Sequence, residues 1–336
     1  MKVLMISGDP GALDPNTATG KRMEEYRDTL GELDTLVCRG SILNFFTRFL
    51  YGFEKIGHKR PDIISAQSPE HALVAWVYSK IYKIPWQMQI HTEVFSPFFY
   101  SENLVNKIRT SLAKFLLPRA DGIRVVSERI KKSIEETFPD GSLSSRIMVL
   151  PILVDIEKIK NARVNTDLHL EKPGEFIILM ASRITREKNI GLAIKAVKGL
   201  NVTLLIVGDG PEINNLKRMS YGNVSFAPFT DDLNSYYKTC DMFLLTSNYE
   251  GYGMTLIEAA AAGAKIISSD VGIASEILEP ENIFKVGEYQ DLRNKIEEAL
   301  LGNIKPAKAL PHQTKEEYLR LYKQSLEQCL KNQKNQ

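Results

Sequence analysis

Twice along this chain, short apolar runs alternate with stretches of helical period. In the first half the runs fall at residues 3–7, 35–38, 62–66, 86–91, 123–127 and 147–150, with helical patterns at 20–30, 42–56, 70–82, 104–116 and 128–138 between them. A parallel neighbour can be reached only through a crossover, so strand–helix alternation at this spacing reads as a parallel, doubly wound sheet. The alternation stops at 151–174, a polar stretch that carries Asn161, Asn165 and Asp167 and ends in Lys172-Pro173-Gly174. It then resumes, with runs at 176–181, 203–207, 224–226, 242–246 and 265–268 and helical patterns at 190–197, 213–219, 232–238, 254–262, 274–278 and 290–300. The expected fold is α/β, with two Rossmann-like domains at 1–155 and 156–313, and 336 residues is an ordinary length for two. After them Thr314-Lys-Glu-Glu317 forms a capping box, and Tyr318, Leu321, Tyr322, Leu326, Cys329 and Leu330 make one apolar stripe. That helix, 314–330, is expected to reach back to the first domain, and 331–336 to be a disordered tail.

Composition removes several function classes. The net charge is +2, too small for the field of a nucleic-acid-binding protein. Three widely spaced cysteines, Cys38, Cys240 and Cys329, fit a reducing cytoplasm, and neither they nor the five histidines have metal-ligand spacing. The first apolar run is too short for a signal peptide, and no run approaches a membrane span. The expected location is cytoplasmic, with any membrane contact peripheral.

The segment Glu250-Gly-Tyr-Gly-Met-Thr-Leu-Ile-Glu258 carries the most chemistry. It follows the run 242–246 and opens the helical pattern 254–262, closed by Gly263. Gly251 and Gly253 let bare backbone N–H groups approach a ligand, and a helix N-terminus favours phosphate. Glu250 on the loop and Glu258 in the helix can accept hydrogen bonds from hydroxyls. Phosphate and hydroxyls together read as a nucleotide sugar; the bland alternative is two solvated glutamates. Arg183 and Lys188 follow the run 176–181 and suit a diphosphate, Arg as a fork and Lys as a point charge. Their alternative is a solvated basic turn, the more natural reading for Arg186. Gly208-Asp209-Gly210 begins like a dinucleotide fingerprint but has Ile213 where the third glycine belongs, so it reads as a turn making room for a base or ribose.

In combination and order these residues resemble glycosyltransferase family 4. The match rests on Arg183 with Lys188, Gly208-Asp-Gly-Pro-Glu212, Ser247-Asn-Tyr-Glu250-Gly-Tyr-Gly-Met254 with Glu258, Ala259 and Gly263, and Ser269-Asp-Val-Gly272 with Glu276. The first domain matches more weakly, through Gly8 and Gly11, His91, Val125-Val-Ser127 and Val154-Asp155. The resemblance implies the GT-B fold, two Rossmann-like domains with a cleft between them, the donor on the second and the acceptor on the first. It implies transfer with retention and no metal or other cofactor. It puts Arg183 and Lys188 on the diphosphate, Glu250 on the donor sugar, Glu258 on the ribose and the backbone from Tyr252 to Thr255 over the phosphates. His91 resembles the family position near the reacting sugar; its alternative is a packed structural histidine. The first loop departs from the family pattern, reading Gly8-Asp-Pro-Gly11 in place of two adjacent glycines.

The implied partners are a nucleotide-sugar donor and a carbohydrate or lipid-linked acceptor, with no nucleic acid. The aromatic segment 43–51, with Lys55, Lys59 and Arg60 beyond it, and the basic helix bearing Lys107, Arg109, Lys114 and Arg119 invite membrane contact through the first domain. Core packing of both helices is the favoured alternative. A sugar-nucleotide epimerase, a phosphorylase and a non-catalytic sugar-nucleotide-binding subunit stay open beside the transferase.

Overall fold

The computed structural model describes residues 1–40, 42–165, 175–308, 310 and 313–334. The chain divides into two compact units, Met1–Leu153 with Gln313–Gln336, and Val154–His312. Of the polar stretch 151–174, residues 166–174 lie outside the described residues.

In the first unit β1 (Lys2–Ser7), β2 (Glu32–Val37), β3 (Ile63–Ala66), β4 (Trp86–Ile90), β5 (Gly122–Val125) and β6 (Ile147–Val149) form a sheet in the order β2-β1-β3-β4-β5-β6. In the second, β7 (Phe176–Ala181), β8 (Val202–Val207), β9 (Val224–Ala227), β10 (Met242–Leu245), β11 (Lys265–Ser269) and β12 (Ile283–Phe284) follow the order β12-β11-β10-β7-β8-β9. Every described pairing is parallel. Helices cover the sheets, which is why β3, β4, β5, β8 and β10 are buried along their whole length; β8 and β10 are almost wholly apolar, whereas β4 and β5 also bury Gln87, Gln89 and Arg124. Among the strands and α-helices not expected are β12, two residues long, and the helices Pro97–Glu102, six long, and Ile156–Lys160, five long. All are too short to show a period.

The helix Lys315–Lys334 completes the first unit. Thr314 caps it, its hydroxyl accepting from Glu317 N at 3.1 Å. Tyr318, Tyr322, Leu326 and Cys329 enter one core with Val3, Met5, Tyr26, Leu30 and Ile63. A polar seam runs beside that core: Gln87 Nε2 donates to Ser325 Oγ (3.1 Å), Gln89 Nε2 to Tyr322 OH (3.1 Å), and the hydroxyls of Tyr26 and Tyr318 meet at 2.8 Å. The tail expectation is corrected for 331–334, which continue the helix; Asn332 Nδ2 donates to Asp121 O at 2.9 Å and ties the last turn to the start of β5. Residues 335–336 lie outside the described residues.

Candidate functional site

In the second unit the chain lays β8 and β9 to one side of β7 and then returns to place β10 on the other. Strand order reverses between β7 and β10, and at such a point the carboxyl-end loops part and leave room for a ligand. Lys188 comes from the loop after β7 and Glu250 from the loop after β10. Lys188 Nζ donates to Glu250 Oε1 at 2.5 Å, and Ser247 Oγ donates to the same oxygen at 2.8 Å. The two charged side chains are only 14% and 15% exposed. Hydrogen bonds to backbone carbonyls stitch the loops together. Asn248 N donates to Glu187 O (2.8 Å), and Thr246 Oγ1 to Lys188 O (2.8 Å) and Asn189 O (3.1 Å). Asn189 makes the turn with φ +47°, a left-handed conformation that asparagine tolerates better than most side chains.

Below Glu250 the helix Met254–Ala261 starts at Gly253, whose φ of +88° favours glycine and which offers no side-chain cap to the first turn. Gly272 holds a second close approach: at φ +54°, a Cβ there would lie 2.4 Å from Tyr252 O, the carbonyl that accepts Ile273 N at 3.0 Å. The loop after β11 is thereby pressed against 250–252. Tyr252 and Gly251 are buried, and burial pushes the Tyr252 phenol up to about 12. Met254 is exposed and Thr255 half-buried on the first turn. Glu258, one turn further on, accepts from Tyr237 OH at 2.9 Å. Burial raises its carboxyl above the ordinary value and outweighs the tyrosine hydrogen bond, which pulls the other way.

Other expected residues make their contacts with other partners. Arg183 is 78% exposed, with Nη2 3.4 Å from Glu187 Oε1, and Arg186 pairs with Glu212 at 3.3 Å. Gly208 and Gly210 pack backbone on backbone: a Cβ at either would lie 2.0 Å from Ser182 O or 2.3 Å from Ile184 O. Ile184 N donates to Asp209 O at 2.7 Å across that contact, and Asp209 Oδ1 accepts Gly210 N at 2.7 Å.

In the first unit strand order reverses between β1 and β3. Gly8, after β1, faces His71, after β3; a Cβ on Gly8 would meet the imidazole at 2.9 Å. Gly11 N donates to Asp9 Oδ1 at 2.9 Å, closing the short turn that departs from the family pattern. His91 directly follows β4, and its Nε2 lies 3.3 Å from Gln89 Oε1. That oxygen also accepts Arg124 Nη1 at 2.9 Å, while Gln89 Nε2 donates to Ser65 Oγ at 2.7 Å. Arg124 is buried, its Nη2 bonded to Tyr318 OH (3.1 Å) and Leu150 O (3.3 Å) and its Nε without a partner. Desolvation, then the charges of Arg124 and Arg22, hold the His91 imidazole down at about 3.

Tyr237, Gln89 and Arg124 were given no role from the sequence, and Ser247 stood in the family motif without one, three residues before the Glu250 it meets. The others lie on separate elements, where nothing in residue order marks the contact.

Comparison with known proteins places this architecture. Among the solved structures that cover the whole chain are the Anabaena protein HepE, crystallised with UDP-glucose (TM-score 0.69, 19% identity, 94% of that chain), and a sucrose-phosphate synthase of Thermosynechococcus elongatus (TM-score 0.71, 18% identity, 94% of that chain). The protein has the GT-B fold of glycosyltransferases. The model described as Glycosyltransferase Family 4 matches residues 20–158, and that described as Glycosyl transferases group 1 matches 165–317. The chain belongs to glycosyltransferase family 4, a family of transferase enzymes. Among curated relatives, an alpha-monoglucosyldiacylglycerol synthase of Streptococcus pneumoniae is 27% identical over 85% of this chain and 70% of its own length. A sulfoquinovosyl transferase of Arabidopsis thaliana is 24% identical over 72% of this chain, and the chain spans half of that relative's length.

Proposed function

We propose that this protein is a retaining glycosyltransferase that moves a sugar from a nucleoside-diphosphate sugar to a hydroxyl of a glycan or lipid-linked acceptor, without metal or other cofactor. The observation that carries the reading is the shielded Lys188–Glu250–Ser247 cluster at the strand-order reversal of the second unit. An ammonium has three donors, so Lys188 can keep Glu250 and still hold a phosphate oxygen. In this reading Lys188 and the long, exposed side chain of Arg183 stabilise charge on the departing diphosphate. The N–H groups of Tyr252 to Thr255 face the phosphates, Glu250 orients the donor sugar, Glu258 binds the ribose, and the turn at Gly208, Asp209 and Gly210 borders the base. The bond from the anomeric carbon to the diphosphate breaks as the acceptor oxygen bonds to the same face, and the acceptor proton passes to the leaving phosphate. His91 supports the sugar, and the loop from Gly8 to Gly11 borders the acceptor.

Calorimetry against a panel of nucleoside-diphosphate sugars, first without metal and then with magnesium, tests this. The expected result is metal-free binding of one donor, weakened in Glu258→Ala. Turnover should fall by about a hundredfold in Glu250→Gln with the fold intact. Near-normal turnover would remove the role of Glu250, and a folded protein that binds no donor would point to a non-catalytic subunit.

One observation favours peripheral membrane contact on the acceptor side. The helix Leu104–Leu116 turns Asn106, Thr110, Ala113 and Leu116 inward and leaves Leu104, Val105, Ile108 and Phe115 exposed, Leu104 by 71%. Lys107 and Lys114 lie on the same helix, an arrangement suited to an anionic surface. The aromatic helix Ile42–His58 is instead largely engaged: Phe49 and Phe53 pack on Tyr78, and Lys55 and Lys59 pair with Asp34 and Glu32. Among the described residues no helix is long and apolar enough to cross a membrane. Flotation with anionic vesicles at low salt should carry the protein upward; protein left at the bottom would sink the membrane reading.

A further inference from the structure

A cavity of about 700 Å³ opens at the carboxyl ends of β1 and β2 in the first unit. Its wall includes Leu13 from the loop after β1, Arg39 from the loop after β2, and Asn44, Thr47, Arg48 and Tyr51 from the helix Ile42–His58. Among the described residues no carboxylate lines it, although the chain carries 41 acidic residues against 43 basic ones, so the basic lining is a local arrangement. Arg39 and Arg48 come from different elements, and neither makes a hydrogen bond or ion pair among the described residues. Their neighbours are spent otherwise: Lys55 and Lys59 on acids, and Arg60 on Tyr82 O at 2.8 Å.

The backbone just before Arg39 is fixed. His71 Nε2 lies 2.9 Å from Cys38 O, Cys38 N donates to Ser7 O at 2.9 Å, and Ser68 Oγ meets His71 Nδ1 at 2.6 Å. These bonds hold the backbone from which Arg39 projects. Asp9 is the acid whose charge Arg39 feels, but its carboxylate is engaged, Oδ1 by Gly11 N and Oδ2 by Thr19 Oγ1 at 2.7 Å. Thr47 Oγ1 donates to Asn44 O at 3.0 Å, which leaves the Arg39 and Arg48 forks and the Tyr51 hydroxyl as donors toward the cavity. Two guanidiniums that make no ion pair among the described residues, in a space several times larger than a single anion, match a dianionic group carried on a larger molecule.

We propose that this cavity recognises a phosphoryl group on the acceptor, held between Arg39 and Arg48. The inference deepens the transferase reading and rests on it for the word acceptor; the anion site itself does not. The phosphate has two sources, a lipid headgroup or a soluble phosphorylated glycan, and the exposed apolar residues Leu13, Phe46 and Leu50 nearby suit the first.

The test titrates the full-length protein with inorganic phosphate by calorimetry, comparing wild type, Arg39→Gln/Arg48→Gln and Arg183→Gln/Lys188→Gln. Phosphate affinity should fall by about tenfold or more in the first pair for a site that the second pair leaves intact. The exposed arginines are not needed for folding, so donor binding should be retained in Arg39→Gln/Arg48→Gln. Identical titrations in wild type and that variant would overturn the proposal. Loss of every nucleotide-sugar signal beside a retained Arg39- and Arg48-dependent phosphate site would instead overturn the donor reading and leave the anion site standing. Vesicles of phosphatidylglycerol in phosphatidylcholine separate the sources. Binding that falls in Arg39→Gln/Arg48→Gln but not in Lys107→Gln/Lys114→Gln assigns a lipid headgroup; Arg39- and Arg48-dependent phosphate binding without it assigns a soluble acceptor.

Discussion

Glu258 occupies a place where burial works against its charge. Its folded-state value is raised above the ordinary 4.5, so the folded protein holds that proton more tightly than the unfolded chain. The linkage therefore lowers stability as pH rises through and above 4.5, and the cost persists at neutrality. Glu258→Gln keeps an acceptor for Tyr237 and has no charge to desolvate. It should raise the urea midpoint of the second unit at neutral pH and flatten the decline that sets in as pH rises above 4.5, while donor affinity falls. An unchanged pH profile would show that the carboxylate is already satisfied in the fold. His91 has the opposite sign. Its depressed value, about 3 against 6.5, means stability is present above 6.5 and is lost as pH falls toward 3, and the ring is neutral at working pH. Which nitrogen carries the proton follows from Arg124. A guanidinium can only donate, so Gln89 must turn its oxygen to it; the same oxygen then faces His91 Nε2, which must bear the hydrogen. Nitrogen-15 spectra of histidine-labelled protein should show the Nε2–H form at His91, with Nδ1 free to accept a hydroxyl, and Arg124→Met should mix the two forms. A wild-type ring protonated at Nδ1 would contradict the hydrogen-bond assignment. Glu250 and Lys188 were readable from residue order because motif and loop placement coincide; Tyr237, Gln89 and Arg124 were not, because their partners are set by packing between separate elements.

At the scale of elements, the strand and helix patterns were legible because parallel strands covered on both faces are nearly pure apolar runs. Order within the sheets was not, since each crossover can fall on either side of the strand it leaves. The closing helix Lys315–Lys334 shows both limits. Its stripe and cap were legible, but its length depended on Asn332 finding the Asp121 carbonyl. Its seat depends on one missing side chain: a Cβ on Gly122 would stand 2.1 Å from Cys329 Sγ. Gly122→Ala must push the helix or β5 aside. It should destabilise the first unit by about 1–3 kcal/mol in urea unfolding, as overpacking of a filled core does. Cys329→Ala in the same background should recover part of the loss, because it removes the atom that the new methyl meets.

For the whole molecule, two units with separate cores make one cooperative transition unnecessary. If the donor binds in the second unit, a nucleoside diphosphate at a hundred times its Kd should stabilise that unit by about 2.7 kcal/mol and leave the first unit's transition in place. Tryptophan fluorescence reads this directly, because Trp76 and Trp86 both belong to the first unit: the heat-absorption peak of the second unit should move while the fluorescence midpoint holds. Movement of the fluorescence midpoint alone would place the ligand on the first unit.

The path of the chain also sets an order of events during synthesis. Residues 154–312 leave the ribosome with their whole sheet in hand, whereas the sheet of the first unit must wait for the helix Lys315–Lys334. Until that helix arrives, Tyr26, Met5 and Ile63 lack a cover, and Gln87, Gln89 and Arg124 lack the hydroxyls that satisfy them. The half made first is thus finished last, and nascent chains stalled before residue 315 should be the ones that chaperones hold.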